Sequence, residues 1–232
     1  MQTEPRSDIS RNSKYFIYIA ILFVAVLMIS DTVGSKLIQV GSLTLSATIF
    51  IFPISYIFGD ILTEVYGYKA SRKIIWTGFA ALLFMVFCYW FVKILPAASF
   101  WTNQSAYEAI LGATPRLVLG SILAYFCGEL GNSYVLSKMK VWSSGKHLWM
   151  RTIGSTIVGE GLDTVIFITV VFAGTIPAAV LVSLIVSQYL VKVAYEAIVT
   201  PLTYLVVNKL KAAEGIDVYD RGINYNPFTL AE

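Results

Sequence analysis

The sequence has little charge, few cysteines and a single histidine, and each shortage excludes a class of protein. Only 13% of the 232 residues are charged, whereas 57% are hydrophobic. A soluble domain is about 25% charged, so a chain with half that fraction has too little polar surface for a soluble globule. The composition excludes a soluble enzyme, a disordered chain and a nucleic-acid-binding domain, and it predicts an integral membrane protein.

The residues that usually bind metals or attack substrates are equally scarce. Cys88 and Cys127 lie in apolar runs outside any metal-ligand pattern, and His147 lies in a short polar connection. We expect the cysteines to be small buried hydrophobic residues, and we expect no metal and no cofactor. Neither an HExxH nor a GxSxG motif is present, so an intramembrane enzyme is a weak alternative.

Six long apolar runs predict the fold. A membrane-spanning helix needs about 20 apolar residues, whereas strands of a membrane barrel would alternate apolar and polar residues. Because these runs are continuous, we predict an all-α polytopic membrane protein, a bundle of six transmembrane helices. The helices are expected at residues 15–29, 43–58, 74–95, 115–136, 152–172 and 178–207.

The basic residues predict the orientation of this bundle. Thirteen of the 17 lysines and arginines fall in the two tails and in the connections on the same side. Such a bias marks the cytoplasmic side of a membrane. We therefore predict cytoplasmic tails at residues 1–14 and 208–232, on either side of a transmembrane domain at residues 15–207, with both termini in the cytoplasm.

Ionisable residues inside the predicted helices are the strongest functional signal. A charge at the centre of a membrane helix costs about 2.5–3.5 kcal/mol, yet five such residues lie at depth. They are Glu129, Glu160, Asp163, Lys192 and Glu196. One lysine cannot neutralise several carboxylates, so a purely structural ion-pair network is the weaker interpretation. We predict a shared polar cavity that protons, a cation or a substrate complete.

A short internal echo links the fourth and fifth predicted helices. Residues 128–133 and 159–164 share the pattern Gly-Glu-x-x, then Asn or Asp, then Ser or Thr. Glycines let membrane helices approach closely, and two glycine-rich packing faces are the simpler interpretation. Because packing alone does not require the glutamates, we favour two halves of one polar site.

A second charged group lies near the predicted cytoplasmic end of the second helix. Asp60 and Glu64 are one turn apart, and Arg72 and Lys73 follow soon after. Two interpretations stay open: a salt-bridged helix end, or a cytoplasmic gate whose ion pairs break during transport.

Three stretches of the chain resemble one protein family. Residues 53–79, with the core D-I-L-T-E-V-Y-G, residues 148–167 and residues 31–38 are similar to the queuosine precursor transporter family. These are small six-span proteins of the bacterial inner membrane. The resemblance implies a multi-pass inner-membrane protein that takes up 7-cyano-7-deazaguanine and 7-aminomethyl-7-deazaguanine.

Such a base fits the predicted cavity. A guanine-like edge presents two N–H donors side by side, and one buried carboxylate can accept both; Glu160 is the expected reader of this edge. The predicted binding residues supply carboxylates, donors and flat walls: Glu129, Asn132, Glu160, Asp163, Gln188, Lys192, Phe126 and Phe167. The expected partners are this base and the lipid bilayer, without nucleic acid, and a homodimer is left open.

Two further functions compete with a free-standing transporter. Six spans is also the size of substrate-binding membrane subunits that dock to an ATP-driven vitamin or nucleobase importer. Transport by the purified chain without an ATPase distinguishes the two. A structural membrane protein is the other alternative, and it would not require carboxylates at depth.

Overall fold

The computed structural model describes residues 13–34, 36–40, 43–112 and 115–229. Six helical segments in this part of the chain are long and apolar enough to cross a membrane, which confirms the predicted six-helix membrane fold. The helices are α1 (Phe16–Val33), α2 (Phe52–Tyr66), α3 (Tyr68–Ile94), α4 (Gln104–Leu111), α5 (Pro115–Trp142), α6 (Leu148–Phe172) and α7 (Ala178–Glu214). The short α4 lies in the connection between α3 and α5.

The second span differs from the predicted range of 43–58. Strand β2 (Leu43–Ser46) pairs antiparallel with β1 (Leu37–Val40), and a 3-10 turn (Ala47–Phe50) follows. Helix α2 begins only at Phe52, with Pro53 in the first turn, where a missing N–H costs no helical hydrogen bond. The prediction was wrong here because a short apolar run does not distinguish strand from helix.

Several helices also run beyond their predicted limits at the end of the bundle that carries most basic residues, called the basic end below. α3 begins at Tyr68, α5 ends at Trp142 and α7 ends at Glu214. A hydropathy pattern detects only the apolar part of a helix, so it stops where lysines and arginines begin.

Helix α2 is the centre of the bundle. It packs against α1, α3, α5 and α7, and every residue from Gly59 to Tyr66 is buried. By contrast, α1, α3 and α7 leave large apolar side chains exposed, among them Ile17, Phe84 and Ile198. The polar side chains of α2 therefore face other helices, while the outer helices present apolar surface suited to lipid.

Helices α5 and α6 cross at the glycines of the sequence echo. A Cβ atom placed on Gly159 would lie 2.9 Å from the carbonyl oxygen of Gly128 and 2.7 Å from Cβ of Asn132. It would also lie 3.0 Å from the ring of Tyr56 on α2. The missing side chain thus lets three helices meet at one point, beside the glutamates that follow each glycine.

Both ends of the described chain lie at the basic end. The backbone N–H groups of Lys14 and Tyr15 donate to the Glu214 carboxylate at 2.9 and 2.7 Å, so α1 begins where α7 stops. That this end faces the cytoplasm stays a prediction.

The segment after α7, which belongs to the predicted cytoplasmic tail at residues 208–232, is packed on the bundle. The N–H of Val218 donates to the Val65 carbonyl at 3.2 Å, and the Trp76 indole donates to the Pro227 carbonyl at 2.8 Å. Asp220 is buried and accepts from the N–H of Tyr68 at 2.8 Å. Residues 215–229 therefore cap the basic end.

Candidate functional site

Five carboxylates from four helices gather inside the bundle, and we call them the acidic core. They are Asp60 on α2, Glu129 on α5, Glu160 and Asp163 on α6, and Glu196 on α7. Each residue is at most 6% exposed, and their charges interact across the helix boundaries. Burying so many acids is costly unless partners compensate them.

Among the described residues, Lys192 is the cation that contacts the acidic core. Its Nζ lies 2.8 Å from Oε2 of Glu160 and 2.5 Å from Oδ2 of Asp163. The same ammonium stands 4.7 Å from the centre of the Phe52 ring, a cation–π distance. The structure thus brings together three residues that the sequence predicted to meet, and it leaves the core with more acids than cations.

Glu129 has no such partner. The residue is fully buried, and neither carboxylate oxygen has a hydrogen-bond partner within the described residues. Its Oε2 would lie 2.7 Å from a Cβ on Gly59, so the side chain rests on the α2 backbone where only glycine leaves room. Two acceptors held in this way suit a ligand that brings N–H groups.

Asp60 lies in the acidic core, whereas the sequence grouped it with Glu64 in a salt-bridged helix end or a cytoplasmic gate. Its Oδ1 accepts from the Asn132 side-chain amide at 2.7 Å. Its Oδ2 and the Asn132 amide oxygen have no partner in the described part of the chain. Residues one turn apart share a helix face but lie about 6 Å apart along the axis, which separates Asp60 from Glu64.

Glu64 sits in a different environment at the basic end, which we call the Glu64 cluster. It contains Glu64, Lys140, Arg151, Lys211 and Asp217. The Glu64 carboxylate accepts from Nη2 of Arg151 at 2.8 Å and from Nζ of Lys211 at 2.7 Å. Lys140 donates to the Glu64 carbonyl and lies 2.5 Å from the Asp217 carboxylate. Three cations therefore hold two acids.

The predicted partners Arg72 and Lys73 do not belong to this cluster. Arg72 is fully buried, but its guanidinium donates to the carbonyls of Asn224 and Asn226, at 3.2 and 2.5 Å. Lys73 is exposed. The prediction paired residues that are close in sequence. In the structure, Arg72 instead binds carbonyl groups of the C-terminal segment, which is distant in sequence.

The aromatic residues predicted to line the site, Phe126 and Phe167, differ in their surroundings. Phe126 packs in an aromatic cluster with Trp76, Phe79 and Phe228, so its ring contacts lie in that cluster. Phe167 and Gln188 are half-buried.

The sequence prediction missed Tyr56. Its ring is fully buried, its hydroxyl has no partner in the described residues, and it interacts with the charges of Glu129, Glu160 and Asp163. A tyrosine in an apolar run is usually packing, but its position one turn before Asp60 was a usable signal.

Comparisons with known proteins find similarity to membrane transporters. Residues 46–206 match the family described as "Putative vitamin uptake transporter". A "Probable queuosine precursor transporter" of Bacillus subtilis (strain 168) is 33% identical over 214 residues, covering 83% of this chain and 93% of the relative. No solved structure shows significant similarity to the chain.

Proposed function

The chain belongs to this family of vitamin uptake transporters, and from that premise we propose that it imports queuosine precursors through the acidic core. It is a multi-pass membrane transporter and not an enzyme. The proposed substrates are 7-cyano-7-deazaguanine and 7-aminomethyl-7-deazaguanine, which share the guanine-like edge.

The observation that carries the proposal is the buried, unpartnered carboxylate of Glu129. N1–H and the exocyclic NH₂ of the base would donate to its two oxygens as a charge-assisted pair. Glu160 is already engaged by Lys192. We therefore assign the edge of the base to Glu129, in place of the Glu160 expected from sequence.

Neighbouring groups complete the proposed site. The free amide oxygen of Asn132 offers a further acceptor, and Lys192, held by Glu160 and Asp163, offers a donor to the carbonyl oxygen of the base. The rings of Tyr56 and Phe52 are 5.7 Å apart by their centres and offer aromatic surface to the flat base.

All of these groups come from one chain, so we propose the monomer as the transport unit. The homodimer that the sequence left open is not required.

Exchange of labelled base in vesicles tests the proposal. Purified protein in vesicles without any ATPase, preloaded with unlabelled 7-cyano-7-deazaguanine, should take up the labelled base by counterflow. No counterflow in these vesicles would refute the proposal, and rescue by an ATP-driven module would favour the binding-subunit alternative.

The Glu129→Gln variant tests the assigned carboxylate. An amide replaces one acceptor by a donor and leaves a ligand N–H unpaired, at a cost of about 1–3 kcal/mol, so affinity should fall about tenfold to a hundredfold. Glu108→Gln is the matched control, because Glu108 is exposed on α4. Equal affinity of both variants would remove Glu129 from the site.

A further inference from the structure

Two carboxylates of the acidic core, Asp60 and Glu196, are not assigned to the edge of the base. They lie on α2 and α7, two helices that are packed together, and the charge of Glu196 acts on Asp60. Glu196 is 1% exposed, and neither of its carboxylate oxygens has a partner in the described residues. Asp60 is bonded through one oxygen only.

The charged groups around this pair are almost all acidic. Glu64 on the same helix and Glu129 on α5 act on Asp60, while Glu160 on α6 acts on Glu196. Lys192 lies one turn before Glu196 on α7, but its ammonium is bound by Glu160 and Asp163. Within the described part of the chain, no cation contacts Asp60 or Glu196.

Asp60 Oδ2 and both oxygens of Glu196 lack a donor among the described residues. Six buried atoms without partners are oxygens that can only accept while the carboxyl groups are ionised: Asp60 Oδ2, both oxygens of Glu129, Asn132 Oδ1 and both oxygens of Glu196. Two neighbouring carboxylates in a medium of low polarity cannot both stay ionised, and the pair retains a proton. A protonated carboxyl group is itself a donor.

We infer that Asp60 and Glu196 bind the proton that drives uptake, so that the protein is a proton symporter; this inference rests on the proposed function. A second proton enters from outside, so that both carboxyl groups are protonated while the base occupies Glu129. The neutralised pair lowers the electrostatic cost of moving the loaded core past the apolar faces of its neighbours. Release of the base and of this second proton on the inner side leaves the pair with the proton that it retains.

Two assays distinguish this inference from the proposed function: accumulation tests proton coupling, and counterflow tests transport of the base. In the vesicles described above, with the membrane potential held at zero, a gradient that is acidic outside should drive accumulation of labelled 7-cyano-7-deazaguanine. One proton per base supports about a tenfold accumulation for each pH unit of the gradient. A trapped pH dye should report proton entry with the base.

Each outcome of this measurement has a distinct meaning. Counterflow without accumulation or proton entry would overturn the symport and leave the proposed function intact. Accumulation driven by a sodium gradient at equal pH would also overturn it. Loss of counterflow itself would refute the proposed function instead.

Neutral variants test the two assigned residues. Glu196→Gln keeps the size of the side chain but cannot carry the proton, so the proton entry per base taken up, reported by the trapped dye, should fall to background and acid-driven accumulation to simple equilibration. Asp60→Asn should do the same, and the monodispersity of each variant in detergent reports whether it is folded. Full acid-driven accumulation in either folded variant would overturn the assignment of that residue.

Discussion

Two buried charged regions of the molecule differ in how their charges are balanced. In the Glu64 cluster, Lys140, Arg151 and Lys211 surround the acids Glu64 and Asp217 at distances down to 2.5 Å. In the acidic core, one lysine contacts two of the five carboxylates, and no described cation contacts the other three. Both regions lie between helices, yet within the described residues only the first has enough cations to neutralise its acids.

The difference separates a structural role from a transport role. A buried ion pair with complete partners fixes the arrangement of helices, and breaking it leaves an uncompensated charge. Buried carboxylates in excess of the available cations do not stabilise the fold, and they are tolerated where a ligand or a proton binds to them. The Glu64 cluster should therefore respond to substitution through stability, and the acidic core through binding.

The largest expected effect is on the Glu64 cluster. Arg151→Met removes the guanidinium that donates twice to the Glu64 carboxylate, at 2.8 and 3.3 Å. Breaking a buried pair in this way costs about 3–5 kcal/mol, so the free energy of unfolding in detergent should fall by that amount. The exposed Lys73→Met is the control with the same loss of charge. Similar stability of the two variants would contradict the contrast between the regions.

A change of opposite sign is expected in the acidic core. Glu129→Gln replaces a buried carboxyl group that has no partner in the described residues, and a neutral amide is easier to bury than an ionised carboxylate. The free energy of unfolding of the ligand-free protein should therefore rise by about 1–2 kcal/mol, while affinity for the base falls. A clear loss of stability would show that Glu129 has a structural partner like Glu64.

The smallest effect is expected at the rim of the Glu64 cluster. Partial burial opposes ionisation of Asp217, but hydrogen bonds and charges from Lys140 and Lys211 outweigh it and hold the pKa of Asp217 below its usual value. The carboxylate thus stabilises the fold above the pKa of the unfolded chain, and this contribution is lost as the pH falls through the folded pKa.

The side chain of Asp217 is 42% exposed, so its contribution is less than about 1 kcal/mol. Asp217→Asn should lower the melting temperature in detergent slightly at neutral pH, and the difference from the unmodified chain should shrink in acid. If the difference in melting temperature grew in acid, the pKa of Asp217 would be raised by folding, not lowered.

Sequence reasoning predicted what depends on local spacing and depth. The six helices follow from apolar runs, and the meeting of Lys192 with Glu160 and Asp163 follows from the matching depth of charges that cannot face lipid. It failed for Asp60, because its partner Asn132 lies 72 residues away on another helix. No local sequence pattern shows that Arg72 donates to the C-terminal segment instead of to Glu64.

The residues of the Glu64 cluster are synthesised at widely separated times. Glu64 is synthesised early, whereas Lys140, Arg151 and Lys211 follow 76, 87 and 147 residues later. At about 5–20 residues per second, the last of them emerges roughly 7–30 s after α2. During that interval the central helix carries an acid that its own chain has not yet neutralised. A nascent chain halted before Lys211 would therefore expose to the insertion machinery and to membrane proteases a charge that the finished protein conceals.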